Sequence, residues 1–334
     1  MATEATLRVA FWNTWLLRPR LWRGGPAVPG GDRFFAPDVT RRAPLVGAAI
    51  RDRFDVVALA EVFEPSEQRS VAAAVPSSTL VAGPDATGAR FTGSGLATLV
   101  DDRRARVVES VTMRYRSGGD LRDSDTFATK GALLVRVRVD DDLPDVDVVS
   151  THLFAGGDLL PIPGASWASR HHRVRRQQLA ELVTFVADHR RPANPLLLVG
   201  DFNVSAHDTD PNLGDTTARR AEMAEILAPL GVVDLWDELG VGAGPTCTFT
   251  DPADLPPDPA DPDLVADDPA STLPTSPGER IDYLFLGRPE AGEVTVTAER
   301  PRRWAFPGRD VRGGPAGTLS DHLCLSTTLH LTTG

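Results

Sequence analysis

Eight polar residues stand at or near the ends of apolar runs. They are Asn13 in AFWNTW, Glu61 in ALAEVF, His152 in VVSTHLFAG, Asp201 and Asn203 in LLLVGDFNV, Asp282 in RIDYLF, and Asp321 and His322 in LSDHLCL. One such residue is an ordinary cap or a satisfied core polar group; the repetition points to a shared pocket. Glu61, Asn13, Asp201, Asn203 and Asp321 offer hard oxygen donors of the kind magnesium or manganese takes, and no cysteine joins them, which argues against a thiolate zinc site. Magnesium uses one or two carboxylates and completes its octahedron with water and substrate phosphate. With two histidines nearby, the set suits attack of water on a phosphoester, the cation polarising phosphoryl oxygens and an imidazole taking the proton. His322 is the candidate base, and Asp282 the carboxylate that orients its other ring nitrogen.

A ninth residue stands out by rarity. Of 35 basic residues, only Lys130 is lysine. Codon preference explains an excess of arginine but not why one lysine stays, or where. A compact ammonium and a guanidinium fork are not interchangeable against a phosphate oxygen, so Lys130 is a candidate phosphate contact.

The elements that position these residues follow from periodicity. Residues 7–12 read as a strand ending at Asn13, 55–60 as a buried strand ending at Glu61, 195–200 as another ending at Asp201, and 281–286 as the strand carrying Asp282. Further strands are expected near 78–83, 94–101, 105–115, 130–139, 146–153, 246–250, 292–298 and 322–331. Helices are expected over about 41–53, capped by Thr40, after Ser66, over 166–190 and over 216–228. Residues 18–38 read as a loop. Several strands follow one another without a helix between them, which favours a layered α/β sandwich with mixed sheets over a doubly wound parallel sheet. The 334 residues fit a single domain of this kind. Between Asp251 and Pro277 lie seven Asp and eight Pro, a composition that builds no core and reads as a solvated loop.

The net charge of −11 would on average repel nucleic acid, so a nucleic-acid partner is not favoured. Two cysteines, Cys247 and Cys324, cannot make a disulfide framework and read as buried reduced thiols. No apolar span of 18 residues occurs, and no signal sequence is legible at the N-terminus. A cytoplasmic monomer is the default expectation, with secretion open if a leader has been removed.

The ordered set N…EVF…STHL…GDFNV…RIDYLF…SDH resembles the endonuclease/exonuclease/phosphatase superfamily of DNase-like, metal-dependent phosphoesterases, over residues 7 to 330. The resemblance implies a four-layered α/β/β/α sandwich with two mixed central sheets. It implies Glu61 as main magnesium ligand, Asn13 as a metal or phosphate ligand, Asp321 as support for a metal, and Asp201 with Asn203 positioning nucleophile and phosphate. It further implies His152 as stabiliser of the pentacovalent phosphate or proton donor to the leaving group, and Asp282 as orienter of the base His322.

Within the superfamily, AFWNTWLL, DVVALAEVF, THLFAGG with its following Arg173, Gln177, Gln178 and Leu179, and DTFATKG are similar to segments of neutral and bacterial sphingomyelinases. That branch implies cleavage of sphingomyelin to ceramide and phosphocholine, with Lys130 near the substrate phosphate and Asp125 as its charge partner. Trp304 and Phe306, flanked by arginines, would suit a lipid interface, or would pack inward as an ordinary loop. The acidic loop departs from the branch. A nuclease, or a phosphomonoesterase acting on nucleotide, sugar or inositol phosphates, is the alternative on the same fold; a non-catalytic binding module is disfavoured by the intact GDFN and SDH motifs.

Overall fold

The computed structural model describes residues 3–18, 20–22, 25–31, 35–87, 90–119, 123, 125, 128–156, 167–206, 216–248, 257–258, 261–265, 278–308, 310–314 and 317–333. The chain runs β1 (Glu4–Leu16), α1 (Val39–Ile50), β2 (Val56–Val62), α2 (Pro65–Ala73), β3 (Ser78–Ala82), β4 (Ala97–Asp101), β5 (Arg106–Arg114), β6 (Gly131–Arg138) and β7 (Val146–His152). It continues through α3 (Trp167–His189), β8 (Leu196–Asp201), α4 (Thr216–Leu227), β9 (Val232–Asp234), α5 (Leu235–Leu239), β10 (Cys247–Thr248), β11 (Pro257–Asp258) and β12 (Asp261–Val265). It closes with β13 (Gly278–Glu279), β14 (Asp282–Gly287), β15 (Val294–Ala298), β16 (Arg302–Trp304) and β17 (Cys324–Thr333).

Two mixed sheets result. One has the order β11-β12-β16-β17-β1-β2-β4-β3, with β15 also on β17; the other has the order β5-β6-β7-β8-β14-β9. The pairs β1–β2 and β7–β8 are parallel, and the remaining pairs antiparallel. Alternation along each strand sorts side chains into layers. Leu7, Val9 and Phe11 of β1 meet Leu197 and Val199 of β8 and Leu284 and Leu286 of β14 in one core between the sheets. Ala10 and Trp12 face the other way, onto Val39, Ala43, Val46 and Ile50 of α1 and Val71 of α2. Leu196, Leu198, Tyr283 and Phe285 face Leu179, Leu182, Phe185 and Val186 of α3 and Met223 and Leu227 of α4. The order is therefore helix, sheet, sheet, helix, as expected.

Several details differ from the sequence reading. Helix α1 starts at Val39 rather than after Thr40. Its N-cap is Asp38, in a left-handed conformation, whose carboxylate takes the Arg312 amide instead of capping the helix. Strand β1 continues past Asn13 to Leu16 through a register shift against β2, a bulge of the kind that re-aims side chains. The acidic loop is not wholly irregular: 257–258 and 261–265 form a short antiparallel pair, β11 and β12, at the edge of the first sheet against β16. The rest of that loop lies outside the described residues. Among the described residues no helix is long and apolar enough to cross a membrane.

Candidate active site

The same alternation that builds the inter-sheet core also builds the site. Continuing the core-facing parity of β1, β7, β8 and β14 by one step brings Asn13, His152, Asp201 and Asp282 to the polar end of that core. The registers place Gly131, His152, Asp201 and Asp282 in one row across β6, β7, β8 and β14. Lys130 precedes that row. Glu61 would point away by parity, but its backbone is left-handed at φ 60, as is that of Asn203 at φ 51. Strain of this kind is tolerated where the surroundings over-determine it, and it concentrates at functional positions. Gly95, at φ +70, leaves room beside Glu61: a Cβ there would lie 2.9 Å from the Phe63 ring and 3.1 Å from the Glu61 Cα.

The side chains converge. The Asn13 amide Nδ2 donates to Glu61 Oε1 and to Asp201 Oδ2, each at 3.0 Å, while its Oδ1 accepts the Trp15 amide at 3.1 Å. His152 Nε2 lies 3.7 Å from Asp201 Oδ2 and 3.8 Å from Glu61 Oε1. His322 Nδ1 meets Asp282 Oδ2 at 2.8 Å, which leaves Nε2 turned towards Asp201 Oδ2 at 3.9 Å. Asp201 Oδ1 accepts the Asn203 amide at 2.9 Å, and the Asn203 side chain donates to Leu153 O. Seven of the eight strand-end residues named from the sequence are linked by these contacts, and Asp321, next to His322 in the chain, lies near enough to Glu61 to act on its charge. Lys130, 4% exposed, joins them, its Nζ 3.1 Å from both His152 Nε2 and Asp125 Oδ1. Asp125 is held in turn by the Ala155 amide at 2.7 Å. This is a buried ion pair, not a solvated one.

Electrostatics bear on what the site could hold. Burial pushes Glu61 up, and Asp321 adds a like charge to it. Burial and the nearby Asp282 raise Asp201 to about 7, and burial raises Asp321. Burial and the adjacent Lys130 push His152 well below its ordinary value, so it is neutral. Burial opposes protonation of His322 as well, but Asp282 and the neighbouring Cys247 together outweigh it and hold the ring well above its ordinary value. Crowded carboxylates resisting ionisation are what a bound divalent cation relieves. Asp201, Asp282 and His322 offer three ligand atoms all within 4.8 Å of one another, a buried site capable of coordinating a divalent metal ion. That trio joins one member of the expected metal set to the expected base pair.

Some contributors were not legible in the sequence. Arg42, fully buried, donates to Pro37 O, Thr14 O, Trp15 O and Leu319 O, so it ties the segment bearing Asn13 to the one bearing Asp321. Burial lowers its pKa to about 10. Ser320 Oγ donates to Asn13 O and accepts the His322 amide. In the segment after β7, Arg175 donates to Phe154 O, and Gln178 takes the Phe154 amide. Gln178 stands out in the sequence only as part of the run similar to the sphingomyelinases, and helical spacing gives no sign of the contact it makes.

One open alternative is decided and one expectation needs correction. Phe306 is buried at 3% exposure, stacked on Trp304 and packed on Trp12, while Trp304 Nε1 donates to Ser326 Oγ. These aromatics fill the seam beside α1 rather than meet a lipid surface. The large exposed apolar side chains include Leu21, Trp22, Phe35 and Phe91 instead. Cys324 is a buried free thiol as expected, but Cys247 is only partly buried and faces His322 across an antiparallel bridge.

The model of the Endonuclease/Exonuclease/phosphatase family matches residues 10–322, and the chain belongs to that family. No match was found among curated proteins. Similar solved structures include sphingomyelinase C from Streptomyces griseocarneus, at 19% identity and a TM-score of 0.60 over 97% of this chain and 99% of that one. A mutant beta toxin from Staphylococcus aureus with bound magnesium ions gives 17% identity and a TM-score of 0.61 over 97% and 99%. D. rerio TDP2 complexed with a single-strand DNA product gives 17% identity and a TM-score of 0.58 over the same shares. At these identities the likeness is one of fold. Fold and site together define a metal-binding hydrolase acting on a phosphoester.

Proposed function

We propose that this chain is a magnesium-dependent phosphodiesterase that cleaves sphingomyelin to ceramide and phosphocholine. The observation that carries the substrate reading is Lys130: the sole lysine of the chain, buried, clamped by Asp125 and in contact with His152 at the end of the row. An ammonium so fixed suits one non-bridging oxygen of a diester. The likeness to sphingomyelinase C and to beta toxin supports the same branch, and a zwitterionic headgroup does not conflict with the acidic surface.

Glu61, Asp201 and Asp321, with Asn13 and Asn203, are the residues that would hold the cation. When bound, it supplies Lewis-acid polarisation of the phosphoryl oxygens. The rest is done by the chain. Asp282 fixes the His322 ring through Nδ1, so Nε2 is the nitrogen that takes the proton of the attacking water. Because Asp282 holds that ring protonated, turnover rises with pH as His322 loses its proton. His152, kept neutral, acts by contact with the phosphate rather than as a strong acid, and Lys130 carries the positive charge at that corner.

Trp304 and Phe306 being committed to packing, contact with a lipid surface falls to Leu21, Trp22 and Phe91. The test is release of phosphocholine from sphingomyelin vesicles with magnesium and with EDTA, run beside DNA, a nitrophenyl diester and a nitrophenyl monoester. Cleavage of DNA or of the monoester without phosphocholine release would replace this reading. Those alternatives have their own support in the TDP2 likeness and in a mannosyl-6-phosphatase from Bacteroides thetaiotaomicron at 16% identity.

A further inference from the structure

A cavity of about 500 Å³ adjoins the site, and nothing in the hydrolysis uses it. The sheet orders say which end it occupies. In one sheet the row runs from Asp282 on β14 through Asp201 on β8 and His152 on β7 to Gly131 on β6, with Lys130 beside it. Three strand spacings make that row about 14 Å long. In the other sheet His322 precedes β17, Asn13 lies on β1, Glu61 on β2, and Gly95 precedes β4. The cross-sheet contacts His322–Asp282 and Asn13–Asp201, with Thr92–Thr129, align the two in the same sense. The cavity is at the far end from His322. Its wall includes Phe63 and Gly95, which lie beside Glu61, and Thr92, whose carbonyl takes both the amide and the hydroxyl of Thr129, the residue before Lys130. In-line displacement expels the leaving oxygen on the side opposite the attacking water. With His322 as base, that side is the cavity's.

The wall is polar but nearly neutral. Glu64, the buried carboxylate there, is paired with Arg20 at 2.6 Å, while Arg69 and Asp85 are exposed. A second phosphate or a bare ammonium therefore finds no buried, unpaired counter-charge in it. Neutral hydrogen-bonding groups do remain. Gln68 Nε2 donates to Val62 O at 2.9 Å, which leaves its Oε1 to accept. Thr92, 7% exposed, has no side-chain partner among the described residues, which leaves its hydroxyl to donate. We infer that this cavity holds the leaving alcohol, and that Gln68 Oε1 selects one with an O–H or N–H donor close to the departing oxygen, as the sphingoid base of ceramide has; naming ceramide rests on the proposed function. Thr92 Oγ1 donates to the alcohol's carbonyl. A diacylglycerol leaving group has ester carbonyls but no such donor, so it strands Gln68 Oε1 without a partner, and a missing donor is costly in a site built to meet one. The alkyl chains have no place in a polar wall. They leave through the mouth, where Phe91 is exposed and where Leu21 and Trp22, next to Arg20 in the chain, are exposed as well.

A ratio measured within one protein tests this. In mixed micelles with magnesium, the full chain should hydrolyse sphingomyelin roughly 10–100-fold more efficiently, in kcat/KM, than phosphatidylcholine of matched chains. Gln68→Leu should cut that preference to under ~5-fold. Thr92→Val should slow both lipids alike and keep the preference, because both present a carbonyl. A merely structural fault lowers both rates and leaves the ratio, so loss of the ratio is specific to the contact. No preference in the wild type, or an unchanged one in Gln68→Leu, overturns the cavity's role. Product binding gives a second reading that needs no turnover. Short-chain ceramide should bind the full chain with magnesium at least ~10-fold more tightly than the matching diacylglycerol, by calorimetry, and Gln68→Leu should erase the difference. Equal binding of the two overturns the cavity's role even where sphingomyelin is cleaved. Selective binding without cleavage keeps the cavity and sinks the sphingomyelinase reading.

Discussion

Removing the ammonium of Lys130 should separate what it does for stability from what it does for turnover. Its Nζ has two contacts at 3.1 Å, one to Asp125 and one to His152, and the side chain is 4% exposed. Lys130→Met leaves Asp125 uncompensated at 13% exposure. Breaking a buried pair costs about 3–5 kcal/mol, and the partial exposure of Asp125 puts the expected loss near ~3 kcal/mol. In a chain of this size that lowers Tm by roughly 6 °C. Loss of a fixed donor to the transition-state phosphate costs about 10²–10³ in kcat. The double variant Asp125→Asn/Lys130→Met removes the stranded charge, so it should regain most of the Tm and none of the turnover. Lys130→Arg keeps the charge and should stay near wild-type Tm, yet lose at least ~10-fold in kcat, because the guanidinium fork cannot sit between the two acceptors as an ammonium does. The assays are phosphocholine release and calorimetry on the same preparations. Wild-type kcat in Lys130→Arg, or turnover recovered in the double variant, would refute the phosphate role and leave the lysine a structural counter-ion.

The other tests address the base, the cation and the surface. His322→Ala should lower kcat by ~10²–10⁴ with little change in KM; an equal loss spread over KM would argue that the ring binds substrate instead. Asp282→Asn removes the group that holds the His322 proton, so the acid limb of the rate profile should move to lower pH while kcat drops, and an unmoved limb would assign it to another group. EDTA should abolish hydrolysis and magnesium restore it. The rise in Tm on adding magnesium should grow as pH increases from about 4 to about 7: Asp201, raised to about 7 in the fold, keeps its proton below that value, and the cation competes with that proton. An increment independent of pH would remove Asp201 from the ligand set. Trp22→Ala, at a side chain 58% exposed, should weaken hydrolysis of vesicles and leave a soluble diester unaffected; equal loss on both would deny it a lipid contact.

Legibility in the sequence followed physical cause. Strand ends were readable because a buried run such as PLLLVG must stop where a carboxylate appears, and the parity of side chains then carries Asp201 to the same end as Asn13 and Asp282. Adjacent strands without helices between them gave a layered sandwich with mixed sheets, while the count of four layers came from the family resemblance. Glu61 was found by type but not by direction: its left-handed backbone, which no residue pattern announces, aims it into the site. Arg42 escaped because an arginine on carbonyl oxygens has no spacing rule, only a three-dimensional one. Trp304 and Phe306 were ambiguous because aromatics flanked by arginines look alike whether they cover a core seam or a bilayer; burial on Trp12 decided it. Cys247 read as a buried thiol because its neighbour His322 is 75 residues further along the chain and meets it only through a single bridge.

Strand β17, from the far end of the sequence, pairs with β1, so that Phe11 lies opposite Leu325 and Asn13 shares its pocket with His322. The pocket can therefore close only once the segment that carries His322 has been made and β17 has docked on β1. The site is thus built from contacts of high sequence separation, which form late in folding, and a product terminated before His322 would lack the proposed base.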